Sequence, residues 1–350
     1  MKFLDIFRKG KHKESAVLID IGTRAVVGAY AHFNEGDLPS ILYSTSVPIE
    51  TRSGETNEQS MLRALKALGE VLIREGAPVL SRATGSGSAR MILVSVDAPW
   101  QETTVHVEDF EEDEPFVFTQ SLVAHRLEEG HVAPTEKLLA DESIIGTILN
   151  GYETRSPYGK KVHRASVIVL TSLIERSLAS GIITTLERLY HTKNILPIAG
   201  SSLRYQAMRE VFPHESDAII IDATNESTSS VSLVRNNIFV SLVQAKTAST
   251  ETTWAAMITS ELTELAKQYP LPRTIFLLAR EPEINDLKGM LDTTNFTSLW
   301  LSDNPPKIVP VLKSHMSTLL KQLATTSPDV VIFFMTLYYQ NRHRILEEEL

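Results

Sequence analysis

The spacing of apolar residues alternates between two periods along the chain. Apolar, β-branched runs at 16–20, 25–33 and 40–49 are separated by turns that contain glycine, which predicts three sequential antiparallel strands. In 57–75 apolar side chains recur every three or four residues, so we expect an amphipathic helix that packs on this sheet. The start of the chain therefore predicts a three-stranded sheet covered by a helix.

A glycine- and serine-rich segment at 81–90 interrupts this pattern and predicts a flexible linker. A compact α+β module is expected after it, with strands at 91–96, 103–107, 144–152 and 163–170 and a helix at 118–129. The acidic stretch Glu108–Glu114 is expected in one loop of this module. There it is either a solvated loop or a docking site for a basic partner.

The opening pattern returns in the second half of the chain. Helices are predicted at 174–189, 202–212 and 251–269, and strands at 194–199, 217–222, 231–234, 238–243 and 274–279. The strand at 217–222 ends in aspartate and a polar turn, as the strand at 16–20 does. Two halves that open in the same way predict an internal duplication.

Composition narrows the range of functions. A length of 350 residues favours two domains or one domain that carries an insertion, and 43% hydrophobic and 22% charged positions are typical of a folded protein. The chain contains no cysteine, which excludes a disulfide framework, cysteine-ligated zinc and thiol catalysis. A net charge of -9 argues against nucleic acid as a partner. The longest apolar run, Val330–Tyr339, is shorter than the roughly 20 residues of a membrane span, so we expect a cytoplasmic protein.

The N-terminal residues 1–14 form a basic tail. Lys9, Lys11 and Lys13 follow an apolar cluster that contains Phe3 and Phe7. This arrangement is typical of a short anchor for anionic lipid at the inner face of the cell membrane, and equally of a solvated tail. Peripheral membrane association is therefore an expectation to be tested.

One turn carries candidate chemistry. The first predicted strand ends in Asp20, and Gly22 and Thr23 form the turn to the next strand. Backbone N–H groups at a tight glycine turn can bind phosphate oxygens, a threonine hydroxyl adds a donor, and an aspartate can hold Mg²⁺ through its waters. An ordinary glycine turn between two strands has the same sequence.

The order of these features resembles the actin-like family, in particular the FtsA and PilM group. The predicted module resembles the one that FtsA carries, and the segments 150–160 and 194–208 resemble the hairpin that closes that module and the strand and helix that follow. The implied fold class is α/β, a duplicated, ribonuclease H-like, two-domain actin-like fold with a small inserted α+β module. The implied domains are a tail (1–14), a first actin-like domain (15–89 and 173–215), the inserted module (90–172) and a second actin-like domain (216–350).

The resemblance implies a nucleotide site between two turns. The implied ligand-binding residues are Asp20, Gly22 and Thr23 on the first turn and Asp222, Thr224, Ser227 and Thr228 on the second. ATP and Mg²⁺ are the implied ligands, with Asp20 and Asp222 as the metal residues. The implied partner is either the division-ring tubulin homologue, which FtsA tethers to the membrane, or the cytoplasmic tail of a pilus membrane protein, which PilM binds. Self-association is implied as well.

Several glycines of the family pattern are missing from the second half. The turn after Asp222 lacks the expected glycine, as do 244–248 and 279–281, and Gly289 is the only glycine in 201–350. Glycine reaches positive φ at no steric cost and lets a ligand approach the backbone, so these losses predict weak or lost ATP binding. Glu226 would also repel a phosphate. An alternative is that Asn225 and the hydroxyls of Ser227 and Thr228 rebuild the turn.

The favoured interpretation is an adaptor that links a membrane to division or pilus machinery, with no catalytic residue assigned. One rival is an active, polymerising ATPase of the FtsA type. A second rival is a sugar or acid kinase of the same superfamily, which would need glycine-rich phosphate turns and a substrate-side base.

Overall fold

The computed structural model describes residues 14–34, 36–130, 136–154, 156–225, 228–246, 253–296, 299–300 and 305–348. The strands in these residues are β1 (Glu14–Ile21), β2 (Ala25–Phe33), β3 (Ser40–Pro48), β4 (Met91–Val96), β5 (Gln101–Val117), β6 (Lys137–Leu149), β7 (Tyr152–Glu153), β8 (Lys161–Glu175), β9 (Ile195–Ala199), β10 (Ala218–Asp222), β11 (Thr228–Arg235), β12 (Ile238–Lys246), β13 (Thr274–Leu278), β14 (Lys307–Pro310) and β15 (Lys321–Gln322). The helices are α1 (Asn57–Val71), α2 (Ala77–Thr84), α3 (Gln120–Gly130), α4 (Arg176–Tyr190), α5 (Gly200–Val211), α6 (Trp254–Gln268), α7 (Ile284–Thr293) and α8 (Val330–Glu348).

Two of the sheets formed by the described residues repeat one topology. The first sheet has the order β15-β3-β2-β1-β4-β9, and the second has the order β12-β11-β10-β13-β14. In each, three strands form an antiparallel meander, and two further strands join it in parallel beside its first strand. This repeat confirms the predicted internal duplication.

The helix predicted at 57–75 begins where its sequence signal lies. Thr56 and Gln59 form a capping box in which each side chain accepts from the other residue's backbone N–H. The helix then continues through a π-helical turn, Leu72–Gly76, into α2. The linker expected at 81–90 is therefore shorter than predicted, because α2 extends to Thr84 and ends at Gly85, whose φ of 81° is left-handed.

Strand β4 lies in the first sheet, and its assignment to the inserted module was wrong. It pairs in parallel with β1 on one side and β9 on the other. All six of its residues are buried, as in a strand covered on both faces. The apolar run at 91–96 predicts the strand, but it does not indicate which strands pair with it.

The inserted module is a sheet of order β5-β8-β6-β7 with α3 on one face. Phe110 and Phe118 pack edge to face beneath α3, with ring centroids 5.7 Å apart. The acidic stretch Glu108–Glu114 lies in β5 rather than in the expected loop, because Glu108–Glu111 pair with β8. The pairing strand is distant in the chain, so the local charge pattern does not reveal it.

A single hydrophobic core joins all three sheets. Helix α8 packs against α5 and against β1, β2 and β4. Helix α5 contacts the second sheet through Tyr205, which packs on Phe239. Phe212, immediately after the helix, stacks on Phe276 at 4.3 Å between ring centroids. In α8 the apolar residues Val330–Met335, Leu337 and Tyr339 are buried. The module also contributes Ile145, Ile168 and Leu170 to this core.

We predict that Gly146→Val destabilises the protein by about 1–3 kcal/mol, because it overpacks a filled contact. A Cβ at Gly146 would clash with Ile238 of the second sheet, where β6 of the module meets β12. Urea unfolding followed by circular dichroism measures the change in the free energy of unfolding. Gly289→Ala in α7 is the matched control, since a Cβ there meets open space. Equal stability of the two variants would contradict the contact between module and second sheet.

Candidate functional site

Two turns face each other across the junction of the first and second sheets. Thr23 Oγ1, on the turn after β1, donates a hydrogen bond of 2.9 Å to Asn225 Oδ1 on the turn after β10. The Asn225 amide in turn donates to the carbonyl of Ala98, which follows β4. Residues of the two predicted turns are thus brought together and bonded directly to each other.

The first turn uses its own hydrogen-bonding groups. The N–H of Gly22 donates to the Ala25 carbonyl at 3.2 Å and closes the turn. The carbonyl of Gly22 accepts a 2.9 Å bond from Trp100 Nε1. The Gly22 N–H and the Thr23 hydroxyl, two donors of this turn, are thus bonded within the protein.

The second turn is closed in the same manner. Asp222 Oδ1 accepts from the Thr224 N–H at 2.9 Å and from the Thr224 hydroxyl at 2.6 Å, which is a local aspartate turn. Thr228 begins β11 and is 8% exposed. Ser227 and Glu226 lie outside the described residues.

Arg204 fills the space between the ends of the strands. It lies on the first turns of α5, is 5% exposed, and bonds through Nη1 to Asp97 Oδ2. Its Nε lies 3.0 Å from Asp222 Oδ2. Gly200, one turn earlier, has no room for a Cβ, which would clash with both Asp97 and Arg204. The guanidinium thus pairs carboxylates that come from different sheets.

Asp20 is the third carboxyl group near Arg204, and it takes no part in the pairing with Asp97 and Asp222. It is 7% exposed, and its Oδ1 has no hydrogen-bond partner among the described residues. Burial raises the pKa of Asp20 to about 7; Arg204 opposes this shift, Asp97 adds to it, Ser95 opposes it, and Asp329 adds to it. When Asp20 carries a proton, two charged aspartates, Asp97 and Asp222, remain beside the one charged arginine.

The pKa values of Asp97 and Arg204 are shifted as well. Burial raises the pKa of Asp97 above its usual range, and the charge of Arg204 opposes that shift. For Arg204, burial lowers the pKa, but Asp222, Asp97 and Asp20 together raise it above its ordinary value. The guanidinium is therefore a permanent cation inside the cleft.

This arrangement does not fit Mg-ATP. Of the implied metal residues, Asp222 is held by Thr224 and Arg204, and burial raises the pKa of Asp20 to about 7, so its carboxyl group is partly protonated near neutral pH. A second cation would also meet the charge of Arg204. Over the described part of the chain, no three His, Cys, Asp or Glu side chains are placed to hold a metal ion.

Sequence reasoning missed Asp97 and Arg204. The available signal was Arg204 itself, a charged residue among Leu203, Ala207 and Met208 on the buried face of a predicted helix. Lys and Arg are almost never fully buried unless paired, so such a residue indicates hidden carboxylates.

Two predictions concern a membrane, and the residues of one of them are not described by the structure. The basic tail lies in residues 1–13, which the structure does not describe. Among the described helices, none combines the length and apolarity that a membrane span requires.

Comparison with known proteins gives similarity in structure rather than in sequence. No protein-family model and no curated protein matches the chain. A PilM–PilN type IV pilus biogenesis complex aligns with a TM-score of 0.53 and 13% identity, covering 97% of this chain and 100% of that one. A Bacteroides thetaiotaomicron protein with an actin-like ATPase fold and unknown function aligns with a TM-score of 0.47 and 8% identity, over 93% and 96% of the two chains.

The full-length alignment with the PilM–PilN structure and the duplicated sheet order point to the same architecture. An identity of 13% shows the fold and nothing finer. The chain therefore has the predicted actin-like fold.

We predict that the stability of the protein falls as pH rises from about 4.5 to 7, in part because of Asp20. The folded state keeps a proton on Asp20 in this range while the unfolded state has lost it, so the free energy of unfolding falls by about 1.4 kcal/mol per pH unit. Above pH 7 this contribution is constant. Urea unfolding of wild type and Asp20→Asn at pH 5, 6, 7 and 8 isolates it as a difference.

The difference in the free energy of unfolding between Asp20→Asn and wild type should shift in favour of the variant as pH rises to 7. Above pH 7 this difference should stay constant. Asp37→Asn, at an exposed position, is the control and should follow wild type. A constant difference between wild type and Asp20→Asn at all four pH values would show that Asp20 has an ordinary pKa.

Proposed function

We propose that this protein is an adaptor with an actin-like fold, which joins a membrane component to cytoplasmic machinery through protein–protein contacts and does not use ATP. The observation that carries the proposal is the direct bonding of the two turns, Thr23 to Asn225 and Asn225 to Ala98. In an actin-like fold these turns are where phosphates would bind. Here the Gly22 N–H, the Thr23 hydroxyl and both donors of Thr224 bond to groups of the protein itself.

The fold also supports a choice between the two implied partners. The similar structure with a TM-score of 0.53 is a complex between a PilM protein and PilN in type IV pilus biogenesis. We therefore propose a pilus-type assembly, with the cytoplasmic segment of a membrane protein as partner, ahead of the division-ring tubulin homologue. A cytoplasmic location, at the inner face of the membrane through residues 1–13, belongs to the same proposal.

The bonding within the site supports the adaptor over the two rival functions. A polymerising ATPase and a sugar or acid kinase both require phosphate-binding donors and a metal at the two turns. At these turns Asp222 and Thr224 bond to each other, and Arg204 occupies the cleft as a cation. Neither rival is proposed further.

We predict that Mg-ATP binds with a dissociation constant of about 1 mM or weaker. Loss of two charge-assisted contacts, at about 1.5–3 kcal/mol each, lowers affinity by roughly two to four orders of magnitude. Isothermal titration of Mg-ATP into the purified protein, with a phosphate-release assay in parallel, measures binding and turnover. Micromolar binding that disappears in Asp20→Ala would contradict the proposal and favour the ATPase.

A second expected outcome concerns the partner. Affinity capture with the full-length protein from membranes of the native host, followed by mass spectrometry, should recover a single-pass membrane protein with a short cytoplasmic segment. Titration of a synthetic peptide of that segment should then give saturable binding. Recovery and direct binding of a tubulin homologue would instead assign the division role. A chain that binds neither would contradict the adaptor proposal.

A further inference from the structure

One arginine links the two halves of the molecule at the cleft. Asp97 follows β4 of the first sheet, and Asp222 ends β10 of the second sheet. Arg204 bonds to the first through Nη1 and lies 3.0 Å from the second through Nε. Its guanidinium therefore spans the cleft in the position where a bound ligand would otherwise meet both halves.

We propose that Arg204 is a built-in cation that takes the place of a ligand in this cleft, so that the two halves stay closed without any bound molecule. Its guanidinium occupies a site for a small planar cation formed by Asp97 and Asp222. Removal of the side chain should open the cleft and leave a site that free guanidinium can fill. The proposal goes beyond the adaptor function, since it concerns the closure of the free protein.

Burial and charge both support a site that is specific for a cation. Arg204 is 5% exposed and Asp20 is 7% exposed, and Asp20 Oδ1 lacks a partner among the described residues. A buried charge is costly unless it is paired, so the guanidinium and the two carboxylates that it pairs stabilise one another. A planar guanidinium with several donors can face more than one carboxylate, which an ammonium group does less well.

The residues at the start of α5 position the guanidinium of Arg204. Asp141, from β6 of the inserted module, accepts a 3.3 Å bond from the N–H of Ala199, immediately before the helix. Gly200 then lets the helix approach Asp97, since any side chain at this position would clash with it. Arg204 follows one turn later on the same helix. The inserted module thus helps to place the cation between the two halves.

The separation of the halves can be measured directly because the chain has no cysteine. Spin labels at Glu58→Cys and Ala256→Cys occupy exposed positions in the first turns of α1 and α6, which follow the two meanders. Pulsed electron paramagnetic resonance then gives the distance distribution between the halves. In the otherwise wild-type chain we expect a narrow distribution that Mg-ATP does not change.

Arg204→Ala in the labelled chain should broaden this distribution and shift it to longer distances. Addition of guanidinium chloride at about 10 mM, far below denaturing concentration, should restore the narrow distribution, and sodium chloride at the same concentration should not. The variant should also unfold with an equilibrium constant about 100-fold larger or more, because buried carboxylates lose their partner. Arg235→Ala is the matched control, since Arg235 pairs with Asp217 within the second half and is 36% exposed.

A second variant decides the case if Arg204→Ala does not fold. The triple variant Arg204→Met, Asp97→Asn, Asp222→Asn removes the charges together, so it should fold yet give a broad distribution that guanidinium does not narrow. A wild-type distribution in either Arg204 variant would overturn the proposal, as would broadening in Arg204→Ala that guanidinium leaves unchanged. Both results are independent of whether a partner protein binds, so the adaptor proposal is tested separately.

Discussion

The rest of this structure depends on one buried cation that lies near more carboxyl groups than it can neutralise. Arg204 is enclosed with Asp97 and Asp222, and Asp20 lies close enough for its pKa to respond to the guanidinium. Desolvated charges must be paired or neutralised, since an isolated charge in a protein interior costs several kcal/mol. The pairing by Arg204 and the raised pKa of Asp20 together meet this requirement, and the guanidinium links Asp97 after β4 to Asp222 at the end of β10.

The duplicated fold explains why these groups meet at all. Each half places an aspartate at the end of its central strand, and the two ends face each other across the junction. In such an architecture the same convergence can bind a charged ligand or can be used for internal bonds. In this chain Gly22, Thr23 and Thr224 are bonded within the protein, so a familiar fold carries a different site.

The inserted module and the shared core make the halves parts of one body. Residues of β6 and β8 belong to the same apolar cluster as α5, α8 and the second sheet. The module also holds the start of α5 through Asp141. A protein closed in this way presents its surfaces in a fixed arrangement, which reduces the entropy lost when a partner binds.

The sequence by itself determined the elements of this protein and their repetition. Period-two and period-3.6 patterns gave most strands and helices, the two strands ending in Asp20 and Asp222 gave the duplication, and missing glycines indicated an altered second turn. These features are local, because they depend on the spacing of neighbouring residues.

Only the tertiary structure decided which elements became neighbours. Strand β4 joined the first sheet and the acidic stretch joined a strand, since pairing depends on segments far away in the chain. The sequence did not predict the pairing of Arg204, because its partner Asp97 lies 107 positions earlier and Asp222 belongs to the other half. Residues that are remote in sequence share a charge balance only after the chain has folded, and that balance defines the candidate site.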